Sequence, residues 1–153
     1  MSVVALITWV LTALLGFAML AVWVRNGGHR GASRFAPPLI FGHFLLAGAG
    51  LVVWIAYVVT SSTPLAWIAF VDLVVVAGLG DVMLARWWNT RRGAPAAAGA
   101  TGAAGGGTAT VSAPAASGAA EQQFPPAVVG LHGLFAVATV VLVLLSALGV
   151  GGS

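Results

Sequence analysis

The sequence predicts an all-α polytopic membrane protein, a bundle of four transmembrane helices built from two tandem helical hairpins. Three observations lead to this fold class. Hydrophobic residues make up 60% of the 153 residues and charged residues only 6%, and the mean hydropathy is +1.06, whereas soluble domains carry about 25% charged residues. Four apolar runs each approach or exceed the roughly 20 residues that a spanning helix needs. All six arginines lie between these runs.

The first two runs predict helices over residues 3–24 and 38–59. The first run has no basic leader, and it is longer than the apolar core of about 7–15 residues in a signal peptide, so we expect a retained transmembrane helix. The second run begins at a proline pair, Pro37-Pro38, which suits the first turn of a helix.

The last two runs predict helices over residues 65–85 and from Pro126 to about Leu148. The uncharged turn at residues 60–64 is short, so the second and third helices should be antiparallel neighbours. Residues 93–120 are almost wholly Ala, Gly, Ser, Thr and Pro, a composition typical of flexible linkers.

This composition divides the chain into three parts. Residues 1–92 hold three helices, residues 93–123 form a disordered cytoplasmic linker, and residues 124–153 hold the fourth helix and a short tail. Within the linker, residues 121–123 can begin a short helical lead into the fourth span.

The arginines fall in two segments, residues 25–34 and 86–92. With four spans both segments lie on the same side, and the positive-inside rule makes that side the cytoplasm. We therefore expect a multi-pass protein of the plasma membrane with both termini outside. The arginines indicate orientation in the bilayer and not nucleic-acid binding.

Two histidines stand in similar surroundings, His43 in PPLIFGHFLLAG and His132 in PPAVVGLHGLFA. The similarity of these two segments indicates a tandem repeat of one hairpin. At 1.5 Å per residue, both histidines lie roughly 8–9 Å inside the cytoplasmic edge. Asp81 precedes Arg86 by five positions, so we expect three ionisable groups at one depth.

Helical periodicity predicts which way these side chains face. Small or weakly polar residues continue the stripes through both histidines, as at helix interfaces in membranes. The stripe of His43 contains Ala47, Gly50 and Trp54, and that of His132 contains Ala136, Thr139, Val143 and Ser146.

The two aspartates of the third helix are expected on different faces. Asp81 shares a face with Ala77 and Gly78, so it should face inward. Asp72 is about 900° away along the helix and should face outward. That orientation suggests an interface with a partner subunit or a polar contact from Thr8 or Thr12.

Four hypotheses fit these ionisable residues. His43 and His132 suit the axial positions of a b-type haem. Together with Asp81 they suit a divalent metal, or they form a proton relay. The fourth hypothesis is structural, in which each histidine only fixes helix packing by a hydrogen bond worth about 0.6 kcal/mol.

The chain resembles the uncharacterised small four-helix integral membrane proteins of actinobacteria, through its Pro-Pro to Gly-His openings and its Leu-His-Gly-Leu-Phe-Ala segment. It is also similar to membrane cytochromes b and to the haem-carrying anchor subunits of respiratory dehydrogenases, at one histidine on each of two helices. The second resemblance implies haem b bound by His43 and His132.

We therefore expect a haem-carrying electron-transfer or respiratory-complex component, or else a non-catalytic accessory or assembly subunit of a larger membrane complex. Its partners should be the lipid bilayer and other membrane subunits or further copies of the chain. The absence of cysteine excludes disulfides and thiolate ligands. No soluble catalytic domain is evident, so we do not expect an autonomous enzyme.

Overall fold

The described part of the chain consists mainly of four long helices. A computed structural model describes residues 1–92 and 119–150, and all regular structure within them is helical. The helices are α1 (Ser2–Arg25), α2 (Pro37–Thr60), α3 (Thr63–Arg92) and α4 (Pro126–Ala147). Each is long and apolar enough to cross a membrane. The predicted all-α class with four candidate membrane-spanning helices is confirmed.

The helix ends follow from local sequence. Both α2 and α4 have proline in their first turn, preceded by an extended residue, Ala36 or Pro125, because proline disfavours a helical residue before it. Ser61 ends α2 in the left-handed region at φ 54° and donates its N–H to the carbonyl oxygen of Tyr57 at 2.7 Å. This compact cap lets α3 start at Thr63, antiparallel to α2.

Helix α3 extends beyond its predicted end at residue 85 and continues to Arg92. Trp87 is buried in this extension, and the Arg91 guanidinium lies 4.8 Å from the centre of its ring. Arg92 lies at the same distance over Trp88. Cation–π contacts and burial stabilise the added turns although they are rich in arginine.

The four helices enclose a common interior in an arrangement that differs from two separate hairpins. Helix α1 packs mainly against α4, and α2 packs mainly against α3, while contact between α1 and α2 is small. The predicted hairpins α1–α2 and α3–α4 are consecutive in the chain but are not the units of tightest packing. Small buried side chains, Ala5 on α1 and Ala147 on α4, allow the first and last helices to approach closely.

The apolar core occupies the end of the bundle that holds the N-terminus. Trp9 and Trp54 meet there with ring centres 6.4 Å apart, and the Trp54 Nε1–H donates to the Ser2 carbonyl oxygen. The predicted inward stripes are confirmed, since these members of them are buried: Gly50, Trp54, Thr139, Val143 and Ser146.

Both arginine-bearing segments lie at the opposite end, where the loop after α1 meets the segment before α4. The Ala120 N–H donates to the Ala32 carbonyl oxygen at 2.7 Å. Residues 93–118 of the predicted disordered linker lie outside the described residues. Its last part, Ala120–Gln123, forms a short 3-10 helix with Ala120 and Glu121 fully buried, which agrees with the helical lead expected at residues 121–123 and not with disorder through residue 123.

Candidate functional site

His43 on α2 and His132 on α4 meet inside the bundle. Their ring centres are 6.4 Å apart and their planes are inclined by 53°. Helices α2 and α4 share no extensive contact of their own, so the two side chains reach toward each other across the interior. The structure thus brings together the two histidines that the sequence singled out.

Each imidazole is fixed by a main-chain carbonyl of a neighbouring helix. Nδ1 of His43 lies 3.0 Å from the Val76 oxygen on α3, and Nδ1 of His132 lies 2.9 Å from the Thr12 oxygen on α1. A carbonyl only accepts hydrogen bonds, so Nδ1 carries the hydrogen in both rings. In the neutral form Nε2 then keeps its lone pair and is free to bind a metal or a proton.

A glycine lies beside each ring, one turn beyond the carbonyl that holds it. A Cβ on Gly16 would stand 3.2 Å from Cε1 of His132, and one on Gly80 would stand 3.4 Å from Cε1 of His43. The first distance is closer than side chains normally approach. Gly16 therefore leaves room for the His132 ring, whereas a Cβ on Gly80 would make an ordinary contact with the His43 ring.

The two helix segments that hold the histidine rings, here called seats, have similar sequences. The seat of His132 is residues 12–16, TALLG, and the seat of His43 is residues 76–80, VAGLG. In each, the first residue supplies the carbonyl and the last is the glycine. The first helix of each half of the chain receives the histidine of the other half. The predicted internal repeat thus extends to a pair of seats that our sequence analysis missed.

Asp81 does not join the histidines, and the prediction that it faces inward is wrong. Its side chain is exposed, and no group of three or more His, Cys, Asp or Glu among residues 1–92 and 119–150 could hold a metal ion. The reason is helical rotation, since Gly80 occupies the face toward His43 and the next residue is turned by about 100°. The three-ligand site of His43, His132 and Asp81 is therefore not formed in this structure.

Asp72 is half-buried where α3 packs against α2, so the predicted outward orientation holds only in part. Its Oδ2 is buried and lies against Gly50 of α2, within the space that a glycine Cβ would need. The hydroxyls of Thr8 and Thr12 bond to carbonyls of their own helix and do not reach it. A role for Asp72 at a partner interface stays a prediction.

A second polar cluster, centred on Glu121, closes the arginine-bearing end. The Glu121 carboxylate is fully buried. It accepts hydrogen bonds from the Ser33 hydroxyl at 2.8 Å and from the Arg34 main-chain N–H at 2.9 Å. Ser33 Oγ in turn accepts from Trp23 Nε1 at 2.9 Å, and the Glu121 carbonyl accepts from Trp87 Nε1 at 3.1 Å.

This cluster joins the segment before α4 to the loop between α1 and α2, and to α1 and α3. It therefore fixes where α4 enters the bundle, and with it the position of His132 along the bundle axis. The signal that could have revealed it was one acidic residue at the end of an uncharged linker, in a chain with only three acidic residues.

The histidine pair can bind one small electrophile, a metal ion or a proton, between two oriented imidazoles. Its surroundings are mostly apolar and lined by glycine, and no carboxylate of residues 1–92 and 119–150 completes a three-ligand metal site with the two rings. Comparison of the chain with known protein families, with curated proteins and with solved structures gives no match.

Proposed function

We propose that this protein spans the plasma membrane with its four helices and binds b-type haem between His43 and His132, as an electron-transfer or respiratory-complex component. The observation that carries the proposal is the pair of oriented imidazoles inside an apolar bundle. Two neutral imidazoles on separate helices, each with Nδ1 engaged, are the ligand set of a six-coordinate haem iron.

The outer surface supports the membrane location. Large apolar side chains cover it, among them Leu45, Val52 and Val137, which are 67%, 67% and 65% exposed. A water-soluble protein rarely exposes apolar patches of this extent. All six arginines are exposed, at the opposite end from the N-terminus, so the positive-inside rule favours cytoplasmic arginine loops and external termini.

The spacing of the rings fits a shared iron atom. Metal–nitrogen bonds of about 2.0 Å, with roughly 1.1 Å from each coordinating nitrogen to its ring centre, separate two in-line imidazole centres by about 6 Å. The observed separation is 6.4 Å. The distance between the ring centres would therefore need little change for both rings to hold one metal ion.

When bound, b-type haem supplies one-electron exchange at its iron. The chain contributes the rest. Nε2 of both histidines would hold the metal, and the carbonyls of Thr12 and Val76 orient the rings through Nδ1 and raise their basicity. The exposed arginines would offer positive charge to the propionate carboxylates.

The test is an absorption spectrum of the full chain, purified from cells supplied with a haem precursor. We expect a Soret band and a reduced α-band in the wild type, both lost in His43→Ala and in His132→Ala. His29→Ala is the matched control, because His29 is exposed in the loop after α1 and its variant should keep the wild-type spectrum.

A colourless wild-type protein that is folded and stays in the membrane fraction would refute haem binding. A spectrum that survives in either histidine variant would refute the assignment of ligands. Extraction of the chain by alkaline carbonate without detergent would refute the membrane location separately.

The second candidate function is a non-catalytic accessory or assembly subunit. It is favoured by one observation, that each histidine already ties two helices together through a carbonyl. In that case a colourless protein would co-purify with other membrane subunits or with further copies of itself. Metal analysis of the same colourless sample would reveal an ion held by the histidine pair.

A further inference from the structure

Asp72 is an acidic side chain of α3 that the histidine pair does not use. Its Oδ2 atom is enclosed by protein and is the only buried side-chain nitrogen or oxygen of the described residues without a hydrogen-bond partner. The residue as a whole is half-buried, so its other side reaches the outer surface of the bundle. A buried polar atom without a partner is rare in folded proteins and calls for a physical explanation, such as strain, a functional role, or a bound water or ion.

The groups that face Asp72 offer it no positive charge. Gly50 of α2 lies directly against Oδ2, and Trp9 of α1 packs on the same glycine. Between residues 2 and 24, α1 has no titratable side chain, and the titratable side chains of α2 are His43 and Tyr57. His132 is the titratable side chain of α4.

Asp72 belongs to the same face of α3 as the seat of His43. Asp72, Val76 and Gly80 follow one another at intervals of four residues, so each lies about 6 Å farther along the helix on nearly the same side. The carboxyl group is therefore about one turn from the carbonyl that holds the His43 ring. No other acidic residue of α3 shares this face.

An ionised carboxylate in this position would be costly. A charged side chain at the centre of a membrane helix costs at least about 2.5–3.5 kcal/mol on insertion scales, and neither a cation nor a hydrogen-bond donor reaches Oδ2 to offset that cost. A neutral carboxylic acid avoids most of it, because burial penalises the charged form far more than the neutral one.

We propose that Asp72 is an intramembrane proton-binding site, in which the carboxyl group holds a proton against Gly50 and reacts with hydrophobic carbodiimides. The proposal rests on the membrane location proposed above and not on haem. It places a proton-carrying group one helical turn from the carbonyl that holds His43, on the side of the apolar core.

The reaction with dicyclohexylcarbodiimide requires the protonated acid. The carboxyl O–H proton passes to one carbodiimide nitrogen while the carboxyl oxygen bonds to the central carbon, giving an O-acylisourea. The acyl group then moves to the neighbouring nitrogen and leaves a stable N-acylurea. The whole reagent is added, no group leaves, and nothing is oxidised or reduced.

The experiment treats the full chain in lipid nanodiscs with dicyclohexylcarbodiimide and measures the adduct by intact mass and peptide mapping. We expect one adduct on the peptide that contains Asp72, with a yield that falls as the pH of the incubation is raised. Asp72→Asn should lose the adduct. Asp81→Asn, a change of the same kind at an exposed position of the same helix, should keep it.

Wild-type peptide mapping alone can overturn the proposal, so the result does not depend on whether Asp72→Asn folds. An unmodified Asp72, or an adduct confined to Asp81 or Glu121, would refute it. An adduct whose yield does not change with pH would also refute it. An absorption spectrum of the same sample keeps the outcome for haem separate, because labelling of Asp72 does not require haem.

Discussion

Replacing Glu121 with glutamine should destabilise the bundle although the two side chains have nearly the same shape. Glu121 accepts two hydrogen bonds through its carboxylate, from the Ser33 hydroxyl and from the Arg34 main-chain N–H. A glutamine keeps one acceptor oxygen and turns the other into an NH₂ donor. One of the two hydrogen bonds must therefore be lost.

The size of the loss follows from the bonding of Ser33. Its Oγ donates to Glu121 and accepts from Trp23 Nε1 and from the Phe35 N–H. Both lone pairs of the hydroxyl are used, so an amide NH₂ facing it finds no acceptor. A hydrogen bond to a charged group is worth about 1.5–3 kcal/mol, and we expect Glu121→Gln to lower the free energy of unfolding by about that amount.

The assay is unfolding of the full chain by SDS titration in mixed micelles, followed by tryptophan fluorescence. Ser33→Ala should cost a similar amount, and the double variant should cost clearly less than the two single losses added together, because both remove the same interaction. Gln123→Ala is the matched control at an exposed position of the same 3-10 helix and should change stability by no more than about 0.5 kcal/mol. Additive losses, or a neutral Glu121→Gln, would refute the proposed network.

Further predictions concern the glycines that allow close contact. Gly50→Ala places a methyl group in the space of Asp72 Oδ2 and 3.1 Å from Trp9, so it should lower the free energy of unfolding by about 1–3 kcal/mol. Gly48→Ala is the control, because a methyl group there meets no atom within 4 Å, and it should be neutral or slightly stabilising. Gly16→Ala should displace the His132 ring and so weaken haem binding. A loss of about 1.4 kcal/mol in the free energy of binding would appear in a haem titration as an affinity about tenfold lower. Gly133→Ala, with open space around it, should leave that affinity unchanged, and equal effects at the two glycines would contradict the geometry.

The sequence was sufficient to predict the helices, because apolar length and arginine placement are strong local signals. Proline pairs marked the starts of α2 and α4, and small residues at helical spacing marked the inward stripes. The meeting of His43 and His132 followed from equal depth and from those stripes. These features depend on one helix at a time, so the sequence carries them directly.

The features that could not be predicted from the sequence depend on contacts between two parts of the chain. The carbonyls of Thr12 and Val76 are main-chain groups that no side-chain pattern reveals, although the TALLG and VAGLG segments mark their places. Asp81 was wrongly expected to face inward because a rotation of one residue on α3 separates it from Gly80. The burial of Glu121 arises from a contact with a loop 88 positions away in sequence.

Whether both imidazoles bind one iron atom can be read from the resonance Raman spectrum of the ferric protein, purified as the full chain. We expect six-coordinate low-spin haem in the wild type and in His29→Ala, and loss of that signature in both His43→Ala and His132→Ala. A five-coordinate high-spin spectrum in the wild type, or an unchanged spectrum in one of the two ligand variants, would contradict it.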